Sequence, residues 1–366
     1  MKFTINHTDK NSKARTGKIS TTHGDIHTPC FMPVGTQASV KALTSALIKE
    51  QGAEIILANT YHLFLRPGHE IIKALGGLHK FMAWDRPILT DSGGFQVYSL
   101  SAIRDISEAG VSFQSHIDGT RKFLSPEIAI EIQEALGVDI MMCFDECTPY
   151  PASFEEAKKS LELTLRWAKR CKDAKSESDN ALFGIVQGGM YQELRKQSLD
   201  ALADIGFDGY ALGGVSVGEP KEMMQEIVAS CAPLLPADKP RYLMGVGFPD
   251  DIIHAVTNGI DMFDCVIPTR CARNGLLFTN GKNIVIGNAV YAQDGSAIDE
   301  QCDCYVCKNY SRAYLRHLYV ADEILAMILG TIHNVRYYMR LMEKIREAIA
   351  NDCFKQFCND WKYSLK

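Results

Sequence analysis

Three aspartates stand at or next to the ends of short apolar runs: Asp264 in "DMFDCVIPT", Asp91 in "PILTDSGG" and Asp145 in "DIMMCFDE". A carboxylate in such surroundings lowers stability unless something uses it. Asp264 is followed at once by Arg270 and Arg273, cations suited to phosphate groups. Asp91 is followed by Ser92-Gly93-Gly94, where glycine lets backbone approach a ligand closely. In "FDECTPYP" strand alternation allows only one of Asp145 and Glu146 to face inward. Other run ends carry Asn59, Gln187 in "VQGG", Gly213-Gly214 in "LGGVSVGE", and Gly245.

A single polar group at a strand end is usually a cap or a turn former; a whole series is harder to explain that way. Carboxylate, amide and backbone N–H together suit the edge of a purine. The aspartate accepts from ring N–H and exocyclic amine, while Gln187 and the N–H groups after Gly213-Gly214 donate to a carbonyl oxygen. Phe95 and Met244 could stack on such a base, or could be plain core. Two carboxylates at one mouth point to glycoside-type chemistry, in which one attacks an anomeric carbon and the other shuttles protons. Asp264 then reads as the nucleophile, with Arg270 and Arg273 meeting the sugar–phosphate chain.

A second cluster lies further on. "CDCYVC" spaces Cys302, Cys304 and Cys307 as CxCxxC, which predicts a shared metal with a fourth ligand closing a tetrahedral zinc site. Spacing leaves both His317 and His333 as candidates for that ligand. A closed four-ligand site is structural. Cys30, Cys143, Cys171 and Cys231 read as small core or surface residues. The polar start "MKFTINHTDKNSKARTG" has no apolar signal segment, so the 12 cysteines are expected to be reduced thiols in the cytoplasm. No apolar run approaches the roughly 18 residues of a membrane span.

These residues must be positioned by regular elements. Eight apolar runs, "TPCFMPVGT", "EIILANT", "PILTDSGG", "DIMMCFDE", "ALFGIVQGG", "GYALGGVSVGE", "RYLMGVG" and "DMFDCVIPT", alternate with amphipathic segments. Alternation of this kind predicts a parallel sheet, and eight strands can close a barrel. "SPEIAIEIQEALG" predicts a helix capped by Ser125, opened by Pro126 and stopped by Gly137. "SFEEAKKSLELTLRWAKRCKDA" and "ELRKQSLDALADIG" predict two more. Period-two patterns around Asp118-Gly119 and Asn280-Gly281 predict hairpins. The expected fold is α/β: a (β/α)8 TIM barrel with an N-terminal β-piece, β-hairpin insertions and a C-terminal zinc-binding helical subdomain. The expected division is 1–285 and 286–366. A doubly wound open sheet is the runner-up, disfavoured because no GxGxxG opens the first βα unit. The net charge of −5 over 366 residues gives no support to nucleic-acid binding over the whole surface. The segment from Gln301 onward is mildly basic, with ten Lys/Arg against seven Asp/Glu.

"TDSGGFQ", "FDECTPYP", "GGVSVGEP", "YLMGVG", "MFDCVIPTR", "RNG" and the CxCxxC with a distant histidine resemble the tRNA-guanine transglycosylases, the queuine tRNA-ribosyltransferases of bacteria. The likeness covers nearly the whole chain. It implies a (β/α)8 barrel with a zinc subdomain and exchange of guanine at the wobble position of GUN-anticodon tRNAs (Asp, Asn, His, Tyr). The incoming base would be preQ1, 7-aminomethyl-7-deazaguanine. By this resemblance Asp264 is the nucleophile and Asp91 the general acid/base. Asp145, Gln187 and Gly214 read the base edge, the Val215 carbonyl meets the aminomethyl group, and Phe95 and Met244 stack on the base. The zinc ligands become Cys302, Cys304, Cys307 and His333, while Tyr310, Tyr314 and His317 fall where the family builds a homodimer. Cys147 and Val217 match the bacterial pattern and favour preQ1 over the bulkier queuine. Alternatives are a queuine-preferring enzyme, an archaeal-type enzyme acting on the D-arm, a non-catalytic tRNA-binding partner subunit, and a zinc-dependent hydrolase. The last would need an open metal site at the barrel mouth.

Overall fold

Each of the eight apolar runs forms one parallel strand of a closed barrel in the computed structural model, which describes residues 1–100 and 104–364. In chain order the barrel strands are Cys30–Gly35, Ile56–Ala58, Ile88–Thr90, Ile140–Met142, Ala181–Val186, Gly209–Leu212, Arg241–Leu243 and Met262–Cys265. The eighth pairs with the first, setting Asp264 opposite Met32. Side chains alternate across the wall, as a period of two requires. Met32, Leu57, Leu89, Met142, Phe183 and Tyr242 fill the interior. Their neighbours Phe31, Ile56, Ile88, Met141, Leu182 and Leu243 belong to the outer cluster.

The helix Pro126–Leu136 has the expected signals. The Ser125 hydroxyl accepts from the Ile128 N–H at 3.3 Å, and Gly137 turns left-handed at φ +68°. Its buried Gln133 then ties two strands together, accepting from Thr90 at 3.0 Å and from the Met142 N–H at 2.9 Å. The helix Phe154–Ala174 opens on a capping box between Ser153 and Glu156. Both hairpins form. Gly110–Gln114 pairs with Arg121–Leu124 around Asp118-Gly119, and Leu276–Leu277 pairs with Ile284–Val285 around Asn280-Gly281. The first gains a third strand, Arg104–Ser107, that its charged sequence does not announce.

The N-terminal β-piece is a three-stranded antiparallel sheet, Lys2–Thr8, Arg15–Thr21 and Gly24–Thr28. Ile19 and Ile26 join the barrel's interior cluster. Its polar ties reach acids one or two residues before barrel strands. Arg15 forks onto Asp261 at 3.0 and 2.6 Å, His23 meets Asp139 at 2.8 Å, and His27 meets Glu54 at 2.8 Å. The sheet therefore plugs the N-terminal end and leaves the opposite end open. The long helix Ile324–Ala350 packs beside the closing pair of strands. Tyr338 donates to the Gly247 carbonyl at 2.5 Å, and Arg346 donates to the Pro29 carbonyl at 2.9 Å. No helix of the described residues is long and apolar enough to cross a membrane.

Asp261 and Arg15 are almost wholly buried, so each depends on the other. Asp261→Ala leaves the guanidinium without its counter-ion and is expected to lower stability by about 3–5 kcal/mol. Urea denaturation of the variant beside the parent chain measures this.

Candidate active site

The open end of the barrel holds a cavity of about 330 Å³, walled by the C-terminal ends of the strands. This is the end at which a (β/α)8 barrel can gather side chains from many strands. Asp91, Asp145, Gln187, Gly214 and Asp264 all line it. Phe95 and Met244 line it too, as do Cys147, Val215 and Val217. Nearly half of the Phe95 surface is open, which a core residue would not show.

Asp264 is the last residue but one of the eighth strand. Tyr242 donates to its Oδ1 at 2.5 Å and the Gly245 N–H donates to the same oxygen at 2.8 Å. Oδ2 accepts no hydrogen bond among the described residues. Burial raises the Asp264 pKa, and these two donors oppose it. Asp91 follows the third strand. Its carboxylate accepts from Asn59, from the Thr60 N–H at 2.8 Å and from Gln96 at 2.9 Å. Burial pushes its pKa up to about 7, and the negative charge of Asp264 adds to the rise. A carboxyl group that titrates near neutrality can both give and take a proton.

Of the acidic pair after the fourth strand, Asp145 lines the cavity and Glu146 does not. Asp145 accepts from Ser92 at 2.8 Å and from the Gln187 amide at 2.7 Å. The other end of that amide, Oε1, is buried without a hydrogen-bond partner among the described residues. Gly94 is required here for close approach, because a Cβ would lie 2.4 Å from the Asp145 carbonyl oxygen. Gly214 is required twice: its φ is +60°, and a Cβ would lie 2.2 Å from Gln187 Oε1. Arg270 and Arg273 lie outside the cavity, on the helix Ile267–Arg273 that leaves the Asp264 strand. Arg270 is exposed and makes no ion pair among the described residues.

Tyr242 and Gln96 escaped the sequence reading. Tyr242 lies inside an apolar strand and Gln96 inside a short helix, and neither has a motif of its own. A tyrosine at an inward position two residues before a strand-end glycine-rich turn is the one usable signal.

Outside the barrel mouth, Cys302, Cys304, Cys307 and His333 bring their ligand atoms within 4.8 Å of one another, a set that could hold a metal ion. His317 is exposed on another helix and takes no part. The His333 Nε2 lies 2.7 Å from the Phe278 carbonyl, so it carries the proton and Nδ1 is left facing the sulfurs. Next to it, Asn334 donates to the carbonyls of Pro268 and Leu276, both at 3.0 Å, joining the cluster's helix to the segment that follows Asp264.

A family model described as queuine tRNA-ribosyltransferase matches residues 9–366. The chain belongs to this family of glycosyltransferases. A queuine tRNA-ribosyltransferase of Caldanaerobacter subterraneus subsp. tengcongensis is 60% identical, over 98% of this chain and 96% of that one. One of Thermoanaerobacter pseudethanolicus is 58% identical over 100% of this chain and 98% of its own. One of Azoarcus sp. is 58% identical over 94% of each. The resemblance seen in the motifs thus extends along nearly the whole length.

The Asp91 environment has a measurable consequence. Donors to a carboxylate stabilise its anion, so Asn59→Ala should raise the Asp91 pKa above about 7, readable by carboxyl-carbon NMR. The folded pKa lies above the unfolded one, so folded Asp91 binds a proton that the unfolded chain has released. Stability from this group is full below the ordinary aspartate range and declines as pH rises through about 7. Asp91→Asn has no charge to bury, and its Tm should exceed the parent's at pH 8 but not at pH 4.

Proposed function

We propose that the chain exchanges guanine at the wobble position of GUN-anticodon tRNAs (Asp, Asn, His, Tyr) for preQ1, by double displacement through a covalent ribosyl-aspartate in queuosine biosynthesis. The observation that carries this reading is the state of Asp264. One oxygen is fixed by two donors, and the other has no donor among the described residues, at the wall of a cavity of about 330 Å³ that is large enough for a bicyclic base. In the first step Asp264 Oδ2 forms a bond to the ribose anomeric carbon as the bond from that carbon to guanine N9 breaks. The leaving base takes its proton from Asp91. In the second step Asp91 accepts the proton from preQ1, whose ring nitrogen attacks the same carbon and releases the Asp264 carboxylate. No bond energy from ATP and no redox partner is required, because one glycosidic bond replaces another.

Asp145 accepts from the donor edge of the base, and Gln187 with the Gly214 backbone serves the carbonyl edge. Phe95 and Met244 enclose the base faces. The Ser216 and Val217 N–H groups both donate to Glu219. A trans peptide then turns the Val215 carbonyl the opposite way, which supports its contact with a cationic aminomethyl group. Cys147 and Val217 narrow the cavity and support preQ1 over queuine. Arg270 and Arg273 meet the tRNA backbone.

Cys302, Cys304, Cys307 and His333 would hold zinc, and with four protein ligands the site would be structural. This location away from the barrel mouth disfavours a zinc hydrolase. We further propose a homodimer through the surface of Tyr310, Tyr314 and His317, in the cytoplasm. Tyr310 stacks on Tyr314 with ring centroids 5.3 Å apart, and Tyr314, Val320 and Ile324 are exposed nearby.

Asp264→Asn should lower guanine exchange into unmodified tRNA-Tyr by about a thousandfold or more. The parent chain quenched in denaturant during turnover should carry covalently bound tRNA, and the variant none. Exchange by Asp264→Asn at the parent rate would refute the assignment. Chelation should remove about one zinc per chain and lower the Tm; loss of activity with an unchanged melting curve would contradict the structural role.

A further inference from the structure

The helix Gln192–Ile205 sends two fully buried polar side chains toward the barrel, Arg195 and Ser198, three residues apart and so on one face. Ser198 Oγ accepts from the Gln187 N–H at 3.2 Å. Arg195 donates to three carbonyls: Gly189 at 2.7 Å, Val186 at 3.3 Å and Gly214 at 3.1 Å. These carbonyls belong to the last residue of the fifth barrel strand and to the turns that follow the fifth and sixth. No carboxylate pairs with this guanidinium among the described residues. A buried cation hydrogen-bonded only to carbonyls, with Glu219 acting on it from beyond ion-pair distance, is an expensive way to fill space, and an apolar side chain would do that better.

We propose that Arg195 is a positioning residue for base selection, acting through the Gly214–Val215 peptide. Gly214 sits at φ +60°, and glycine leaves that peptide free to rotate. Holding its carbonyl in the wall fixes the plane, and the trans peptide sends the Val215 N–H the other way. The same side chain locks the strand end that carries Gln187, whose Oε1 lies against the Gly214 Cα. The donor edge of the cavity is thereby aimed by a helix outside the barrel, and the buried positive charge behind it favours an oxygen acceptor on the base. This rests on the proposed reading of the cavity as a guanine-type site.

The test compares binding of guanine and of 2-aminopurine, which lacks the exocyclic carbonyl oxygen of guanine and the N1–H that goes with it, to the full chain and to Arg195→Met, Arg195→Lys and Ser198→Ala. Melting curves establish folding, and the KM for tRNA is measured alongside. The parent should prefer guanine. Arg195→Met should weaken guanine about tenfold while changing 2-aminopurine less than twofold, with tRNA KM unchanged. Arg195→Lys should fall between, and it decides the matter if Arg195→Met does not fold. Equal weakening of both bases, or no change in either, overturns the proposal while the parent's preference for guanine stands. A parent chain that binds neither base defeats the underlying functional reading as well.

Discussion

A carboxylate can serve chemistry inside a protein only if donors hold it where water would otherwise have solvated it. Asp91, Asp145 and Asp264 meet that demand at one cavity, and each does so differently. Asp91 takes three donors and still titrates near neutrality, because burial and the charge of Asp264 outweigh them. Asp145 is bridged by Ser92 and Gln187. Asp264 has both donors on one oxygen, which leaves the other available. The remaining architecture can be understood as what keeps those donors still.

Rigidity comes from both ends of the barrel and from outside it. The N-terminal sheet closes the far end through Arg15 and Asp261, and Asp261 directly precedes the strand that carries Asp264. Asn334 anchors the helix bearing His333 to the segment just after Asp264. The cysteine–histidine cluster and the barrel mouth are therefore mechanically continuous, although no ligand atom of the cluster lines the cavity. Arg195 and Ser198 supply the same kind of support to the neighbouring strands.

The flanks of the cavity are less constrained. The turn after Gly214 is held by Glu219 through two backbone N–H groups, and Ser216 adopts φ +60° without being glycine. A strained turn at a cavity wall is the sort of element that can offer either a carbonyl or an N–H to a ligand.

Much of this was legible in the chain itself. Apolar runs ending in polar residues specified eight strands and the end at which Asp91, Asp145 and Asp264 would meet, because side-chain alternation is a local property. Ser125, Pro126 and Gly137 marked a helix for equally local reasons. The choice between His317 and His333 was open on spacing alone; the fold brings only His333 to the sulfurs, since a helix packing decides it. Gln96 and Arg195 had no local signature, and Tyr242 had only its inward position ahead of the strand-end turn. Their roles depend on carbonyls and carboxylates supplied by other strands and loops, and only closure of the barrel brings those groups within hydrogen-bonding distance.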